Sequence, residues 1–183
     1  MTTVAQYSDD HARALIRTAV DQNLIVEAAA GTPDYCKSKS EYRLPWDCGV
    51  TRTCTNGNDT GTHTGNDQYA YDFSMPVGTT VRAMRAGTVL AVRNVSQPGD
   101  PCYNSGSSSC ANFANTVEIK HSDGTVALYM HLSKGTVSKG QPVAQGAVLG
   151  KSGNSGWSTG PHLHEQVQKK CGIWWGQSVP FKF

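Results

Sequence analysis

The most informative stretch of this sequence is SGNSGWSTGPHLHEQVQ, residues 152–168, in which two histidines stand one residue apart. Side chains at positions i and i+2 of a β-strand share a face and lie about 7 Å apart. His162 and His164 are therefore predicted to point to one side of a strand, while Leu163 and Val167 point into a core. Imidazole nitrogens bind metals and carry protons, so this strand predicts a chemical site if other segments supply partners.

Possible partners lie upstream of this strand. They are His63, Asp67, Asp72, His121 and His131. Catalytic zinc is commonly held by three nitrogen or oxygen ligands, with a fourth position left for water. Two histidines and a carboxylate meet that requirement, and a site in which both histidines of the H-x-H strand bind one metal remains an alternative. The helical H-E-x-x-H arrangement is absent, so a zinc site in this chain must be built on strands.

The elements that position these residues are predicted to be strands. Beyond Tyr69 the chain consists of short alternating segments separated by glycine-containing turns, which predicts a mainly β fold, an antiparallel sheet or sandwich-like core. The clearest hairpin is Val117–His131, with Asp123–Gly124 at its turn. Strict alternation places His131 at the end of the second strand, on the face opposite Met130.

The N-terminal part of the chain has a different pattern. Ser8 is a candidate N-cap, and it precedes apolar residues at helical spacing as far as Val20. The following segment is rich in Gly, Pro, Asn, Thr and Cys, which predicts irregular structure. We therefore divide the chain into an N-terminal extension, residues 1–42, and a main domain, residues 43–183.

Composition and charge exclude several classes of function. The 183 residues carry a formal net charge of +2, from 16 basic and 14 acidic residues without a long run of one sign. This balance argues against a dedicated nucleic-acid binder. No apolar run approaches the roughly 18 residues that span a bilayer, and the N-terminus lacks a signal-peptide pattern. The sequence predicts a soluble domain, expected to act as a monomer.

The cysteines predict disulfides. Six are present, Cys36, Cys48, Cys54, Cys102, Cys110 and Cys171, with no C-x-x-C pair among them. Oxidised pairs imply an extracellular or periplasmic location. One pairing that fits the spacing closes the loop between Cys102 and Cys110, joins Cys48 to Cys54 across a short turn, and leaves Cys36 for Cys171. The sequence does not fix this connectivity.

Three segments resemble, in order and spacing, the lysostaphin-type zinc endopeptidases that cut peptidoglycan cross-links. They are HTGNDQYAYDFSMPVGTTVRAMRAGTV, LYMHLSKGTVSKGQPVAQGAVLGKSGNSGWSTG and PHLHEQVQ. The resemblance covers roughly residues 43–170. It implies one Zn²⁺ per chain and peptidoglycan peptides as substrate. The implied zinc ligands are His63, Asp72 and His164, and the implied catalytic residues are His131 and His162.

The sequence departs from the family pattern in two places. Most members have three residues between the first histidine and the aspartate, a spacing that His63 and Asp67 satisfy. The flanking D-F-x-x-P-x-G-T, however, belongs to Asp72, which eight residues separate from His63. We assign the ligand to Asp72, because Asp67 lies in a polar segment of Gly and Asn. The usual H-L-H-F-E also reads HLHEQ here, so the aromatic residue after the last ligand is missing.

The chemistry implied by the resemblance is attack of a zinc-bound water on a scissile peptide carbonyl. Zinc lowers the pKa of bound water towards neutrality. One of His131 and His162 then acts as base, while the other stabilises the oxyanion. The two roles are not assigned from sequence. Glu118 and Glu165 are predicted to be solvated surface residues.

Two further hypotheses belong to other classes of function. A non-catalytic member of the same fold, which binds cell wall or activates another hydrolase, is expected to lack metal ligands. A serine hydrolase based on Ser155, within GNSGW, lacks a matching His and Asp context. Sensitivity to a chelator separates the zinc enzyme from the serine enzyme.

Overall fold

The structure is a computed structural model that describes residues 40–104, 106–172 and 177–183. Nine strands occur in these ranges: β1 Cys54–Asn56, β2 Tyr71–Ser74, β3 Thr80–Arg82, β4 Gly87–Arg93, β5 Asn115–Lys120, β6 Val126–Gly135, β7 Pro142–Val143, β8 Val148–Ser152 and β9 His162–Gln168. Short 3₁₀ helices span Gly65–Asp67 and Ser108–Phe113. The predicted N-terminal helix near residues 8–20 lies outside the described residues.

The strands pair antiparallel throughout the described ranges, which confirms the predicted fold class. The main order is β1-β2-β9-β6-β5-β4-β7, and β3 reaches this sheet through β8, which pairs with β6. The first half of β6, Val126–Met130, pairs with β9. Its second half, Leu132–Gly135, pairs with β8 instead. β6 therefore joins two parts of the sheet at the point where His131 lies.

The predicted hairpin is confirmed. β5 and β6 pair antiparallel, and His121 N donates to Thr125 O (2.9 Å) across the base of the turn. Asp123 Oδ1 accepts from the Thr125 amide (2.9 Å), and Gly124 has a φ of +87°. An Asp-Gly pair suits this turn because glycine adopts a positive φ without steric cost.

β6 contains a β-bulge at His131. Val117 of β5 pairs with Tyr129, and Asn115 of β5 pairs with Leu132. Two steps along β5 thus correspond to three steps along β6, so β6 carries one extra residue. His131 has a φ of +65°, which is uncommon for a residue other than glycine. Bulges of this kind re-aim a side chain.

The prediction that His131 ends the strand on the face opposite Met130 is wrong. β6 continues to Gly135, and the bulge breaks the alternation on which the prediction was based. Met130 pairs directly with His164, so their side chains share a face. The His131 ring lies 6.0 Å from that of His164, centre to centre. Because of the bulge, the His131 side chain lies on the same face as Met130 and His164, and not on the opposite face as predicted.

The core lies on the other face of the sheet. Leu163 and Val167 of β9 are fully buried in it, as predicted. Other large members are Trp46, Phe73, Met75, Val81, Met84, Ile119, Tyr129 and Leu132. Burial of each such side chain contributes roughly 1.5–3 kcal/mol relative to exposure. The rigid β9 backbone beneath the H-x-H pair follows from this packing.

The prediction that Glu118 and Glu165 are solvated is wrong. Glu118 is 3% exposed and Glu165 is fully buried. Both lie on central strands, β5 and β9, whose two faces are covered. Burial raises the pKa of each carboxyl group, although the Gly172 amide donates to Glu118. Alternation correctly separates Glu165 from the histidine face, but that opposite face is the core and not the solvent.

The cysteine predictions are confirmed in one part. Cys102 and Cys110 form a disulfide, as predicted. The suggested pairing of Cys48 with Cys54 is wrong, because Cys48 is disulfide-bonded while Cys54 is a free, exposed thiol. Cys54 lies in the extended strand β1, where its Sγ approaches Asn56 O (3.4 Å). Cys171 is also free, so its suggested pairing with Cys36 is wrong as well.

The predicted boundary after residue 42 remains a prediction, because residues 1–39 lie outside the described ranges. Tyr42 itself packs into the core, with its ring edge-on to Phe181 at 5.3 Å between ring centres. Within the described part of the chain, no helix combines the length and the apolar character needed to cross a bilayer.

Candidate metal centre

Strand pairing brings Asp72 directly opposite His164. β2 and β9 pair antiparallel, with Asp72 aligned to His164 and Ser74 aligned to His162. Opposed side chains in such a pair share a face, with Cβ atoms about 5 Å apart. Asp72 Oδ1 lies 2.8 Å from Nδ1 of His164 and 3.7 Å from Nε2 of His162. The register of two strands therefore places one carboxylate beside both histidines of the H-x-H pair.

His63 reaches the same carboxylate from the loop between β1 and β2. Its backbone amide donates to Thr60 O (2.9 Å), and its Nδ1 donates to Gly57 O (3.1 Å). This second contact requires the hydrogen on Nδ1, so the lone pair of neutral His63 is on Nε2. His63 is 2% exposed, and Nε2 lies 3.2 Å from Asp72 Oδ2.

Asp67 does not join this cluster. It ends the short 3₁₀ helix Gly65–Asp67, which takes up part of the long spacing between His63 and Asp72. Among the described residues, one group of three side chains brings its ligand atoms within 4.8 Å of one another, and that group is His63, Asp72 and His164. The family spacing on its own favours Asp67, whereas the strand context of Asp72 corresponds to the observed geometry.

The cluster fits a zinc ion on its donor atoms and on their partners. Two ligands of one tetrahedral zinc, each about 2.1 Å from the ion, are about 3.4 Å apart, close to the separations from Asp72 to His63 and His164. Nε2 of His63 is buried and has no hydrogen-bond partner, although Asp72 Oδ2 lies 3.2 Å away. A cation bound between this buried lone pair and the Asp72 carboxylate would satisfy both groups.

The negative charge of Asp72 favours binding of a cation by the cluster. Burial alone raises the pKa of Asp72, but its contacts with His164 and His63 lower that pKa far below the ordinary value. For His63, burial lowers the pKa, and the contact with Asp72 outweighs it, so the net effect is a rise. Asp72 is therefore ionised at any neutral pH, and it supplies the negative charge that a divalent ion needs.

His131 is held by the backbone of the loop before β9. Its Nδ1 donates to Ser155 O (2.8 Å), which leaves the Nε2 lone pair free in the neutral ring. Burial, together with the nearby His162 and His164, lowers the pKa of His131 to about 3. His131 is therefore neutral at physiological pH and lies beside the metal cluster without belonging to it.

His162 is held in a similar way. Its Nδ1 donates to Gly160 O (2.8 Å) and also lies 3.1 Å from Ser158 Oγ. Burial lowers the pKa of His162, and the Asp72 carboxylate partly opposes this shift. The rings of His131 and His162 lie 4.5 Å apart, centre to centre. Both rings therefore have Nδ1 fixed by a backbone carbonyl, with Nε2 available as a proton acceptor.

Ser155 does not have the environment of a nucleophile. It is fully buried, and its Oγ donates to Leu132 O (2.7 Å) and accepts from the Asn115 amide (2.9 Å). A nucleophilic serine needs an adjacent base within hydrogen-bond reach of its hydroxyl. Here the hydroxyl is used by two buried backbone groups, and the carbonyl orients His131. The serine-hydrolase hypothesis has no support in this geometry.

Asn56 is a site residue that the sequence did not point to. Its Nδ2 lies 3.4 Å from Asp72 Oδ2 and 3.3 Å from Thr62 Oγ1, and its Oδ1 accepts from Thr60 Oγ1 (2.9 Å). Asn56 therefore links the carboxylate of β2 to the loop that carries His63. The pairing of Asn56 with Asp72 between β1 and β2 creates this contact, and nothing in the sequence around Asn56 signals it.

The fold and the cluster together define an antiparallel β-sheet protein in which a His/Asp/His cluster suited to one metal ion lies beside two further histidines. The sequence profile of peptidase family M23 matches residues 66–174, more than half of the chain. This chain therefore belongs to peptidase family M23. The expected resemblance to lysostaphin-type peptidases is confirmed at the level of the family. His63 lies just before the matched stretch.

Three similar proteins are informative. Peptidoglycan DD-endopeptidase ShyA of Vibrio cholerae is 40% identical over 96 residues, 52% of this chain and 19% of that protein. Glycyl-glycine endopeptidase ALE-1 of Staphylococcus capitis is 38% identical over 103 residues, 56% of this chain and 25% of that protein. A crystal structure of a zinc-containing peptidase from Vibrio cholerae superposes with a TM-score of 0.52 and 28% identity, over 74% of this chain and 41% of that chain.

The chain thus spans a quarter or less of the length of these two curated relatives.

Proposed function

We propose that this chain is a zinc-dependent endopeptidase that hydrolyses the peptide cross-links of bacterial peptidoglycan, with one Zn²⁺ per chain. The observation that carries the proposal is that a set of three metal ligands and a pair of non-ligand histidines lie next to each other. His63, Asp72 and His164 converge as metal ligands, and His131 and His162 stand beside them with Nδ1 fixed. The names of the relatives support peptidoglycan as the substrate class.

We assign the ligand atoms as Nε2 of His63, the carboxylate of Asp72 and Nδ1 of His164, since these atoms face one another. The chemistry that zinc supplies when bound is activation of a water molecule and polarisation of a carbonyl. With one anionic ligand and two neutral ones, the protein leaves a net positive charge at the centre. That charge favours both effects.

His162 is the residue proposed to carry the proton. Its Nε2 lies 3.7 Å from Asp72 Oδ1, and the charge of that carboxylate favours the protonated ring. His131 is more fully buried and has its pKa lowered to about 3, so it resists protonation and serves as a neutral partner that orients the reacting groups. A base within reach of the water and an acid for the leaving amine can be the same histidine at two stages.

We also propose an extracellular or periplasmic location. The Cys102–Cys110 disulfide and the disulfide-bonded Cys48 support it, because such bonds persist in oxidising compartments. The substrate lies in the same compartments. The monomeric state expected from the sequence stays a prediction.

The proposal is tested on purified cell walls, with the released peptides identified by mass spectrometry. Zinc-loaded wild type is expected to bind one zinc per chain, release new amino termini, and stop on addition of a chelator. His164→Ala is expected to lose both zinc and activity. Walls with polyglycine bridges and walls with direct D-Ala-to-diamino-acid links are compared, because the cleaved bond identifies the substrate.

A different result separates the two main hypotheses. If the protein co-sediments with cell walls but releases no new amino termini with zinc present, it is a wall-binding or hydrolase-activating member of the fold. Hydrolysis that is indifferent to the chelator would remove the metal from the proposal altogether.

A further inference from the structure

The loop Asn154–Ser158, here called the support loop, contacts the two non-ligand histidines. Ser155 O accepts from Nδ1 of His131 (2.8 Å), and Ser158 Oγ lies 3.1 Å from Nδ1 of His162. Since Nδ1 is the inner nitrogen of each ring, a shift of this loop moves both Nε2 atoms. The support loop therefore orients His131 directly, and through Ser158 it contacts His162 together with Gly160, the backbone acceptor of the His162 Nδ1 hydrogen.

A second loop packs against the support loop from outside. It is the segment closed by the Cys102–Cys110 disulfide, here called the disulfide loop. Cys102 O accepts from the Gly156 amide (2.8 Å), and Asn104 Oδ1 accepts from Nδ2 of Asn154 (3.2 Å). The two backbones also meet at Gly106, where an added Cβ would lie 2.6 Å from Ser158 O. These three contacts follow the support loop from Asn154 to Ser158.

The support loop is thus enclosed on two sides. On its inner side, Ser155 Oγ bonds Leu132 O and the Asn115 amide. Gly156 packs directly against Ala114, since an added Cβ would lie 2.7 Å from the Ala114 Cβ. Cys110 itself is buried, within the 3₁₀ helix that leads to Ala114. The disulfide therefore links Cys102, on the outer side of the support loop, to the helix that leads to Ala114, on the inner side of that loop.

The metal cluster is held by different elements. Asp72 and His164 are fixed by the pairing of β2 with β9, and His63 is fixed by Gly57 and Thr60. Among the described residues, no hydrogen bond joins these three side chains to the support loop or the disulfide loop. Loosening the disulfide loop is therefore expected to disturb the two non-ligand histidines and to leave the ligands in place.

We infer that the Cys102–Cys110 disulfide is a positioning element for His131 and His162, and that its loss lowers turnover while zinc stays bound. The inference rests on the proposed function for its kinetic consequence. Without the disulfide, the segment from Cys102 to Cys110 gains conformational freedom, and the bond from the Gly156 amide to Cys102 O weakens. A displacement near 1 Å in a catalytic group is enough to reduce a rate by about 100-fold.

The test compares two pairs of cysteines among the described residues, the disulfide-bonded Cys102 and Cys110 and the free Cys54 and Cys171. The double variant Cys102→Ser/Cys110→Ser removes the disulfide, and Cys54→Ser/Cys171→Ser removes the two free, exposed thiols as a matched control. For each protein, kcat, KM, the zinc dissociation constant by chelator competition, and amide hydrogen exchange of residues 152–160 are measured.

The disulfide variant is expected to lose about 10-fold or more in kcat, with a zinc dissociation constant within about twofold of wild type and faster exchange in residues 152–160. The control variant is expected to match wild type in all four measurements. Unchanged kcat and exchange in the disulfide variant would overturn the inference. A parallel loss of zinc affinity would also overturn it, because the disulfide then supports the whole fold.

If the double variant does not fold, the same measurements are made on Cys102→Ala/Cys110→Ala, in which small apolar side chains suit the buried position of Cys110 and the disulfide of Cys48 stays intact. If wild type hydrolyses no peptide, the proposed function fails, but the exchange of residues 152–160 still decides whether the disulfide holds the support loop.

Discussion

The two sets of histidines at this site differ in the charge that faces them. His63 and His164 contact an ionised carboxylate, Asp72, and charge controls that half of the site. His131 and His162 donate Nδ1 to backbone carbonyls, as His63 also does, but the pKa of both rings is lowered, mainly by burial. The difference suits two tasks, because a metal needs a charged cage whereas a proton carrier needs a neutral ring with a fixed, free nitrogen.

The largest expected effect is on zinc affinity, and it distinguishes Asp72 from Asp67 as the metal ligand. Asp72→Asn keeps the shape of the side chain but removes its charge and one ligand, so zinc affinity is expected to fall by more than about 100-fold. Asp67→Asn is the matched control, since Asp67 lies outside the cluster, and it is expected to keep zinc affinity near that of wild type. Isothermal titration with zinc measures both. Zinc loss in Asp67→Asn but not in Asp72→Asn would reverse the ligand assignment.

The next largest effect is on hydrolysis, and it distinguishes zinc binding from catalysis at His131. His131→Ala removes a histidine that is not a ligand, so one zinc per chain is expected to remain while hydrolysis falls by about 10²–10⁴-fold. Zinc content by atomic absorption and peptide release from cell walls are measured on the same preparation. Loss of zinc in this variant would mean that His131 belongs to the metal half of the site.

In chelator-treated protein, the free energy of unfolding at acidic pH is expected to depend on the burial of a neutral His131 ring. Its pKa is about 3 in the folded chain and about 6.5 when unfolded. Between these values the unfolded chain binds more protons, so stability is lost as pH falls, by about 1.4 kcal/mol per pH unit from this group. His131→Gln is expected to show a shallower loss of unfolding free energy between pH 6 and 4 in urea titrations. Equal slopes in both proteins would contradict burial of a neutral ring.

The smallest effect concerns Asn56. Its Nδ2 lies 3.4 Å from Asp72 Oδ2, and its side chain also joins the loop that carries His63. Asn56→Ala is therefore expected to weaken zinc binding by about 10-fold, at the low end for loss of a residue that orients a metal ligand. Asn94→Ala is a suitable control, because Asn94 bonds Gly135. Chelator competition gives both constants, and equal values would mean that Asn56 does not orient the ligands.

Local pattern was enough to predict the strands of the site. The H-x-H strand and the strand that holds Asp72 follow from side-chain alternation and from turn residues, which are properties of a few neighbouring positions. The same local context led to Asp72 in preference to Asp67, and in the structure Asp72 is the carboxylate that meets His63 and His164. The roles of these residues remain proposals.

The parts that sequence did not predict depend on contacts between distant segments. The bulge at His131 leaves no mark in YMHLS, which contains neither glycine nor proline. Burial of Glu165 requires knowing that β9 lies between β2 and β6. Which cysteines pair depends on the three-dimensional path of the chain, so Cys54 and Cys171 were wrongly expected to be oxidised.

The central claim is that His63, Asp72 and His164 bind the ion while His131 and His162 do not. Crystals grown with zinc, measured on both sides of the zinc absorption edge, test it most directly. The predicted result is a single anomalous peak about 2.0–2.2 Å from Nε2 of His63, an Asp72 oxygen and Nδ1 of His164. A peak bonded to His162 or His131, or no peak in crystals of protein that hydrolyses cell walls, would contradict it.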